Sequence, residues 1–332
     1  MLREVYSAGI IGIGLNMPKE IRKNSYWDDI EIANSPKEKS SLFKGIEERR
    51  IFPDNIAPSD FETVAAMKAI EDSGLELDDI GLVMVHSMLQ DKIIPGNASL
   101  VQHKLGLKNS GAWNMDTCCS SFVSMLIAAS HLIMIGTCEN IVIVTSTMHS
   151  RMLSPTHYLS TIVGDGAAAV VVGRVSEGRG YIASSVHSIG EYHDAFTMRE
   201  VCVTTENGVE PGLQFFTNAE LVKCVGKSSV DNVTYVVNKT INKANLDIDD
   251  IDFMISHQPS PWAHSAWRDA IGIDASKSYE SFSRYGNLAS TAVPVNIFEA
   301  RELGKLKDDD VILLVSPGAG ENFSVALLKW GK

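Results

Sequence analysis

The sequence predicts a layered α/β fold made of two similar halves, on three observations. Ile70–His86 (IEDSGLELDDIGLVMVH) aligns without a gap onto Ile241–His257 (INKANLDIDDIDFMISH), with Ile, Leu, Asp-Asp-Ile and His recurring at matching places. Short apolar runs alternate with helix-length segments in both halves, as in mixed sheets covered by helices. Val123–Ile135 holds no charged residue, glycine or proline, so it reads as a helix apolar on every side and therefore buried.

In chain order, Ser7–Ile13 reads as a first strand ending in Gly12-Ile13-Gly14; Met17 stands where a dinucleotide fingerprint needs a further glycine, so that motif fails. Asn16–Lys44 is polar and broken by Pro18 and Pro36, a candidate lid or substrate-facing loop. Pro58-Ser59-Asp60 starts a helix that Gly74 ends. Ile80–Val85 is a continuous apolar run of the kind found in strands covered on both faces. Helical spacing over Pro95–Leu105 is followed by a strand at Ala112–Met115 and another at Asn140–Thr145. The 147–163 stretch reads as a long loop, Gly164-Asp165-Gly166 as a tight turn, and Ala167–Val172 as a strand. After Tyr181–Ile189 the polar stretch Gly190–Gln214 shows little periodicity; helical spacing resumes at Ala219–Asn242, and Asp252–Ser256 is a strand.

The halves join near residue 175, giving 1–175 and 176–332. The match of Gly136 before Ile143-Val144 with Gly304 before Val311-Ile312 carries Cys119 onto Asn287. Packed about a pseudo-two-fold axis, these two would face each other from the starts of two buried helices. His257 stands at the C-terminal end of its strand, where ligands of α/β sheets bind. A helix N-terminus at Cys119 would lower its thiol pKa and favour the thiolate. Each residue also has a plain structural use, as a buried thiol, a core histidine and a helix cap. Together they offer thioester chemistry: a thiolate that accepts an acyl group, and an imidazole and a carboxamide that donate hydrogen bonds to enolate charge. The main-chain amides of Cys119 and of the Gly318-Ala319-Gly320 turn, Gly320 in particular, are the expected oxyanion donors.

Composition narrows the class. Over 332 residues the net charge is −12, with no basic cluster, which argues against nucleic acid. Apolar content of 45% with 21% charged residues suits a globular protein. Five cysteines, two adjacent and none in a CxxC pair, suggest neither a disulfide framework nor a metal site, and a cytoplasmic setting is expected. Arg3 and Glu4 precede an apolar run too short for a secretory leader, and no apolar run reaches the roughly 18–20 residues that span a bilayer, so no membrane insertion is expected.

The chain resembles the thiolase-like superfamily, in particular β-ketoacyl-acyl-carrier-protein synthase III and its relatives. The likeness rests on Gly9–Gly14, Gly45-Ile46-Glu47-Glu48-Arg49-Arg50, Trp113–Phe122, Gly164-Asp165-Gly166-Ala167, Ser256-His257-Gln258, Tyr285-Gly286-Asn287 and Gly318-Ala319-Gly320 in that order. The resemblance implies a five-layered αβαβα fold of two duplicated halves, usually a homodimer, and a Cys119–His257–Asn287 triad. It implies acylation of Cys119 by a coenzyme A or phosphopantetheine (acyl-carrier-protein) thioester, then decarboxylative condensation with a malonyl-type thioester, with no cofactor and no metal. It also puts Arg151 at the place of an arginine near the coenzyme A phosphates, Lys223 at a basic place near the tunnel and Ile94 at an acyl-pocket position, with Trp262 a further substrate-binding candidate in the segment of the tunnel mouth.

The chain departs from the family pattern in places. Lys39 and Phe43 stand where a Trp and an Arg commonly sandwich adenine, Pro259-Ser260-Pro261-Trp262 follows the His-Gln dipeptide, and Cys118 and Ser120-Ser121 replace small residues around the nucleophile. These point to a donor or acceptor other than the ordinary acetyl-CoA and malonyl-carrier pair. Transfer of the acyl group to an alcohol or amine, and a non-catalytic partner subunit of the same fold, are the alternatives.

Overall fold

The computed structural model describes residues 5–32, 39–205 and 208–332; Arg3, Glu4 and Pro36 lie outside them. The first half runs β1 (Ala8–Asn16), β2 (Glu20–Lys23), β3 (Glu48–Ile51), α1 (Pro58–Ser73), β4 (Leu82–Ser87), α2 (Asn97–Leu105), β5 (Gly111–Asn114), α3 (Ser121–Met134), β6 (Asn140–Met148), α4 (His149–Met152) and β7 (Asp165–Arg174). The second runs β8 (Gly180–Ser188), β9 (Phe196–Thr205), β10 (Gly208–Thr217), α5 (Ala219–Ala244), β11 (Phe253–Ser256), α6 (Ala263–Ile271), α7 (Phe282–Tyr285), α8 (Ala292–Glu302), β12 (Val311–Gly318) and β13 (Asn322–Lys329).

Two mixed sheets repeat one plan. The first has the order β1-β7-β6-β4-β5 and the second β8-β13-β12-β11. In each, the first two contacts are antiparallel and the next is parallel. The place of β5 is kept in the second sheet by a parallel bridge from Met254 to Ser278. Helices α1 and α2 pack an apolar layer on the outer face of the first sheet, and α5 and α6 do the same on the second. Between the sheets, α3 and α8 share one core with inward residues of both, including Leu126, Ile143, Val293 and Leu314. The result is the five-layered αβαβα arrangement of two duplicated halves, in which a helix in the middle layer has sheet on both sides and must be apolar nearly all round. His131 and Ile135, near the end of α3, are the exposed exceptions.

The register corrects one sequence expectation. Leu82 pairs with Ile141 and Phe253 with Ile312, so the offset that carries His86 onto His257 holds in the sheets as well. It carries Cys118 onto Ala289 and Cys119 onto Ser290, not onto Asn287. Gly136 and Gly304 do correspond as left-handed residues after α3 and α8. However, α3 has 14 residues and α8 only 11, so the glycine match is displaced by the missing turn.

Three loops also differ from expectation. The 147–163 stretch contains the end of β6, α4 and a 3-10 turn at Tyr158–Thr161. Asp165 opens β7 instead of sitting in a tight turn. Its buried carboxylate accepts the main-chain N–H groups of Phe52 and Ser150, both at 3.0 Å. Within Gly190–Gln214, the antiparallel ribbon β9–β10 pairs Phe196 with Thr217 through Thr205 with Gly208. A two-stranded ribbon needs only main-chain pairing, so it lacks the one-sided apolar alternation that marks a strand in a sheet.

Candidate active site

Cys119 lies in the 3-10 turn Cys118–Ser120 that leads into α3. Serine hydroxyls build this turn: Ser120 Oγ donates to the Thr117 carbonyl, Ser121 Oγ to the Cys118 carbonyl, and Ser316 Oγ, from β12, to the Cys119 carbonyl at 2.9 Å. Ser120 and Ser121, which replace the family's small residues, thus add a second donor to carbonyls that already accept the turn's own N–H groups. Cys118 itself has φ = 55°, a left-handed conformation uncommon outside glycine, asparagine and aspartate.

The β12–β13 turn lies directly on this segment. A Cβ at Gly318 would stand 2.8 Å from the Ser120 nitrogen and 3.0 Å from the Cys119 nitrogen, so the approach requires glycine. The main chain of Ala319 hydrogen-bonds the Cys119 sulfur, as does the main chain of Cys119 itself. From this turn it is Ala319 whose main chain reaches the Cys119 sulfur; Gly320 follows it with a φ of 129°.

The two neighbouring thiols are coupled. Their sulfurs are 3.9 Å apart. The hydrogen bond from Cys119 brings the Cys118 thiol down to about 7, helped by the nearby His86. Cys118 and burial push the Cys119 thiol up in turn. The lowering expected at Cys119 from a helix start is opposed by this neighbour and by burial.

His257 and Asn287 reach this region from the second half. His257 follows β11, its main-chain N–H donates to Val315 at 2.9 Å, and its ring is 2% exposed and hydrogen-bonded by the main chain of Ala289. Burial, together with the neighbouring His149, lowers its pKa to about 3, so the imidazole is neutral. Its Nδ1 is buried with no hydrogen-bond partner among the described residues. Asn287 is fixed from three sides. Its N–H donates to Ile162 at 2.7 Å, its carbonyl accepts from Gly164, and its Oδ1 accepts from Ala289 N–H at 2.8 Å, which leaves its amide NH2 to donate. Ala289 heads the 3-10 turn Ala289–Thr291, which packs against the Cys118–Ser120 turn.

Several of the sequence motifs serve to hold Asn287. A Cβ at Gly286 would meet the Ile162 carbonyl at 2.5 Å, and the side chain of Ile46 lies beside the same glycine. Glu47 N–H donates to Ser283, and Arg49, fully buried, donates through Nε to the Thr161 carbonyl at 2.8 Å while its guanidinium stacks over Trp27. The Gly45–Arg50 and Gly164–Ala167 motifs therefore grip the segment before Asn287.

The substrate-binding candidates fare differently. Arg151 is tied to the segment before α1: its Nη2 donates to the Pro53 and Ile56 carbonyls, and its Nε lies 3.9 Å from Asp54. Lys223 is exposed on α5, and Trp262 is 47% exposed at the start of α6, beside the Pro261 that abuts Gly45. Ile94 is 84% exposed, so it does not line an interior tunnel of this chain. Sequence reasoning missed His86, Asp116, His149 and Ser290. His86 Nδ1 is 2.8 Å from Ser290 Oγ, and its Nε2 is 3.3 Å from the Asp116 carboxylate, which in turn accepts Cys118 N–H at 2.7 Å. Hydrogen bonding from His86 holds the Asp116 carboxyl down at about 2. The repeat ends on His86 and His257 alike, and that was the available signal.

With this geometry in view, the family models for 3-oxoacyl-[acyl-carrier-protein] synthase III and its C-terminal domain match residues 113–190 and 241–330. A β-ketoacyl-[acyl-carrier-protein] synthase III of Geobacillus kaustophilus is 32% identical over 326 residues, 98% of this chain and 99% of its own length. The chain belongs to the β-ketoacyl-[acyl-carrier-protein] synthase III family. It is therefore a condensing acyltransferase by kinship. The synthase III of Staphylococcus saprophyticus is likewise 32% identical, covering 98% of this chain and 99% of its own. Among solved structures, the synthase III of Thermus thermophilus superposes with a TM-score of 0.85 at 25% identity, over 97% of this chain and 99% of that one. The priming β-ketosynthase of the R1128 polyketide pathway has the same fold, with a TM-score of 0.87 at 19% identity over 100% and 98%. No helix among the described residues of this synthase III homologue is long and apolar enough to cross a membrane.

Proposed function

We propose that Cys119 is acylated by a coenzyme A or carrier-protein thioester and that the acyl group is then condensed with a malonyl-type thioester. In the first step the Cys119 sulfur forms a bond to the acyl carbonyl carbon, the donor's C–S bond breaks, and the donor thiol leaves with the proton. The oxyanion is met by the main-chain amides of Cys119 and Ala319. In the second, the malonyl carboxylate leaves as carbon dioxide and its bonding electrons form an enolate. That enolate attacks the acyl carbonyl, a carbon–carbon bond forms, and Cys119 is released. His257 and the Asn287 amide donate to the enolate oxygen.

The observation that carries this reading is the neutral, buried His257 together with Asn287, whose Oδ1 holds the head of the Ala289–Thr291 turn that packs against the nucleophile turn. Oxygen gaining negative charge is stabilised by neutral donors held in place before the reaction. The thioesters are substrates and the route calls on no cofactor or metal. Malonyl-dependent release of carbon dioxide tests it: wild type releases it, and His257→Ala and Asn287→Ala lose that release while still forming the acyl-enzyme. Transfer to an alcohol or amine without carbon dioxide release from any malonyl donor would replace condensation by simple acyl transfer.

The divisions 1–175 and 176–332 serve this site as nucleophile half and donor half. A cytoplasmic homodimer completes the proposal. Strand β5 is a sheet edge, and Trp113 on it, with Ile93 and Ile94 nearby, is well exposed. A second copy pairing at this edge would cover them and bring Ile94 toward the partner's acyl site. Trp113→Asp is expected to shift the mass measured by light scattering from dimer to monomer.

A further inference from the structure

We propose that Cys118 and Cys119 form a peroxide-sensitive dithiol that closes to a reversible disulfide between neighbours and so shields the nucleophile from irreversible oxidation. This goes beyond the condensing reading and does not depend on it. Three features of the site point there. The sulfurs are already 3.9 Å apart, and both residues are half-buried, within reach of a small solute. The left-handed φ of 55° at Cys118 swings its side chain to the same side as that of Cys119, whereas adjacent side chains on regular backbone diverge. Asp116 fixes the Cys118 N–H at 2.7 Å, and His86 stands 3.3 Å from that carboxylate, so the conformation is held by partners outside the pair.

The step balances with a peroxide as oxidant. The Cys118 thiolate, favoured by its Cys119 hydrogen bond and by His86, attacks one peroxide oxygen. A sulfur–oxygen bond forms, the oxygen–oxygen bond breaks, and hydroxide leaves to become water. Cys119 then attacks the Cys118 sulfenic acid; the sulfur–sulfur bond forms and the oxygen leaves as a second water. Two thiols have lost two electrons and the peroxide has gained them. Neighbouring Cα atoms sit about 3.8 Å apart across a trans peptide, closer than in ordinary disulfides, and such a strained bond is readily reduced again.

The test is intact-protein and fragment mass spectrometry of a Cys138→Ser background after brief hydrogen peroxide treatment, since Cys138 shares the tryptic peptide with the pair. The expected result is loss of two hydrogen masses within the fragment holding residues 118 and 119, loss of iodoacetamide labelling at both, and recovery of thiols and activity with dithiothreitol. Cys118→Ser, and separately Cys118→Ala, should instead gain two or three oxygens on Cys119, as sulfinic or sulfonic acid, and stay inactivated after dithiothreitol. Circular dichroism confirms that each variant is folded, and the mass readout needs no catalytic activity. The proposal is overturned if wild type accumulates sulfinic acid at Cys119 without losing two hydrogens, or if the two-hydrogen loss persists in both Cys118 variants.

Discussion

The two halves carry the same two parts, a turn before a middle-layer helix and a histidine after a parallel strand, yet they make them into different things. Across the pseudo-two-fold axis, Cys119 before α3 corresponds to Ser290 before α8, and His257 after β11 corresponds to His86 at the end of β4. Ser290 is fully buried and bonded to His86 at 2.8 Å, a closed pair. Cys119 instead faces main-chain amides, and the Nδ1 of His257 has no partner among the described residues. The divergence originates in the connections between the last two strands. In the second half, β12 and β13 are joined by the short Ala319–Glu321 turn, which brings Ala319 to Cys119. In the first, the His149–Gly164 excursion joins β6 to β7 and bridges Val163 to Asn287. A short connection leaves main-chain donors exposed to a reacting atom, whereas a long one packs over the equivalent place and spends its hydrogen bonds on structure.

Variants on the two sides can break or sharpen this contrast. Cys119→Ala should have the largest effect, a loss of condensing activity of about 10³-fold or more, read by product formation from saturating thioesters. Next comes His257→Ala, expected to cost roughly 10²–10³-fold in decarboxylation while acylation persists in single-turnover mass measurements. The corresponding changes on the closed side should leave the chemistry alone. Ser290→Ala removes a buried hydrogen bond and should cost about 1–2 kcal/mol in urea unfolding with activity within about twofold. A loss comparable to that of Cys119→Ala would erase the distinction between the sides.

The buried histidines on the open side make a separate expectation, on the pH dependence of stability. His149 and His257, lowered by burial from 6.5 to about 4 and about 3, stay neutral in the fold. The unfolded chain takes up those protons first as the pH falls. The native state should therefore lose stability as the pH drops below about 6.5 toward those values, with a slope of about 1.4 kcal/mol per pH unit for each histidine. Unfolding midpoints at pH 7 and pH 5 measure it, and His149→Gln should flatten the slope by one histidine's share.

Much of this was legible in the sequence because duplication leaves an aligned record. The repeat ending in His86 and His257, the apolar α3 and the covered strand β4 all follow from periodicity that burial on two faces imposes. What sequence could not give was register across an insertion. The shorter α8 moved the glycine match off the true correspondence and paired Cys119 with Asn287, although Asn287 still reaches the site from just upstream of Ser290. Arg151 kept its residue type while its guanidinium went to the Pro53 and Ile56 carbonyls, a use that only tertiary contacts reveal. The main-chain contact of Ala319 with the Cys119 sulfur went unread because a main-chain donor leaves no side-chain signature. Neither the β9–β10 ribbon nor the sharing of charge between Cys118 and Cys119 has a periodic signature at all.

In the proposed reaction Cys119, and neither its neighbour nor its symmetry counterpart, carries the acyl group. Intact-protein mass spectrometry with fragment mapping, after incubation with a panel of acyl-CoA and acyl-carrier thioesters, tests it most directly. Wild type should carry a single acyl adduct on Cys119 and Cys119→Ala none; an adduct that persists in that variant, or that maps to Cys118 or Ser290, would refute the assignment of Cys119.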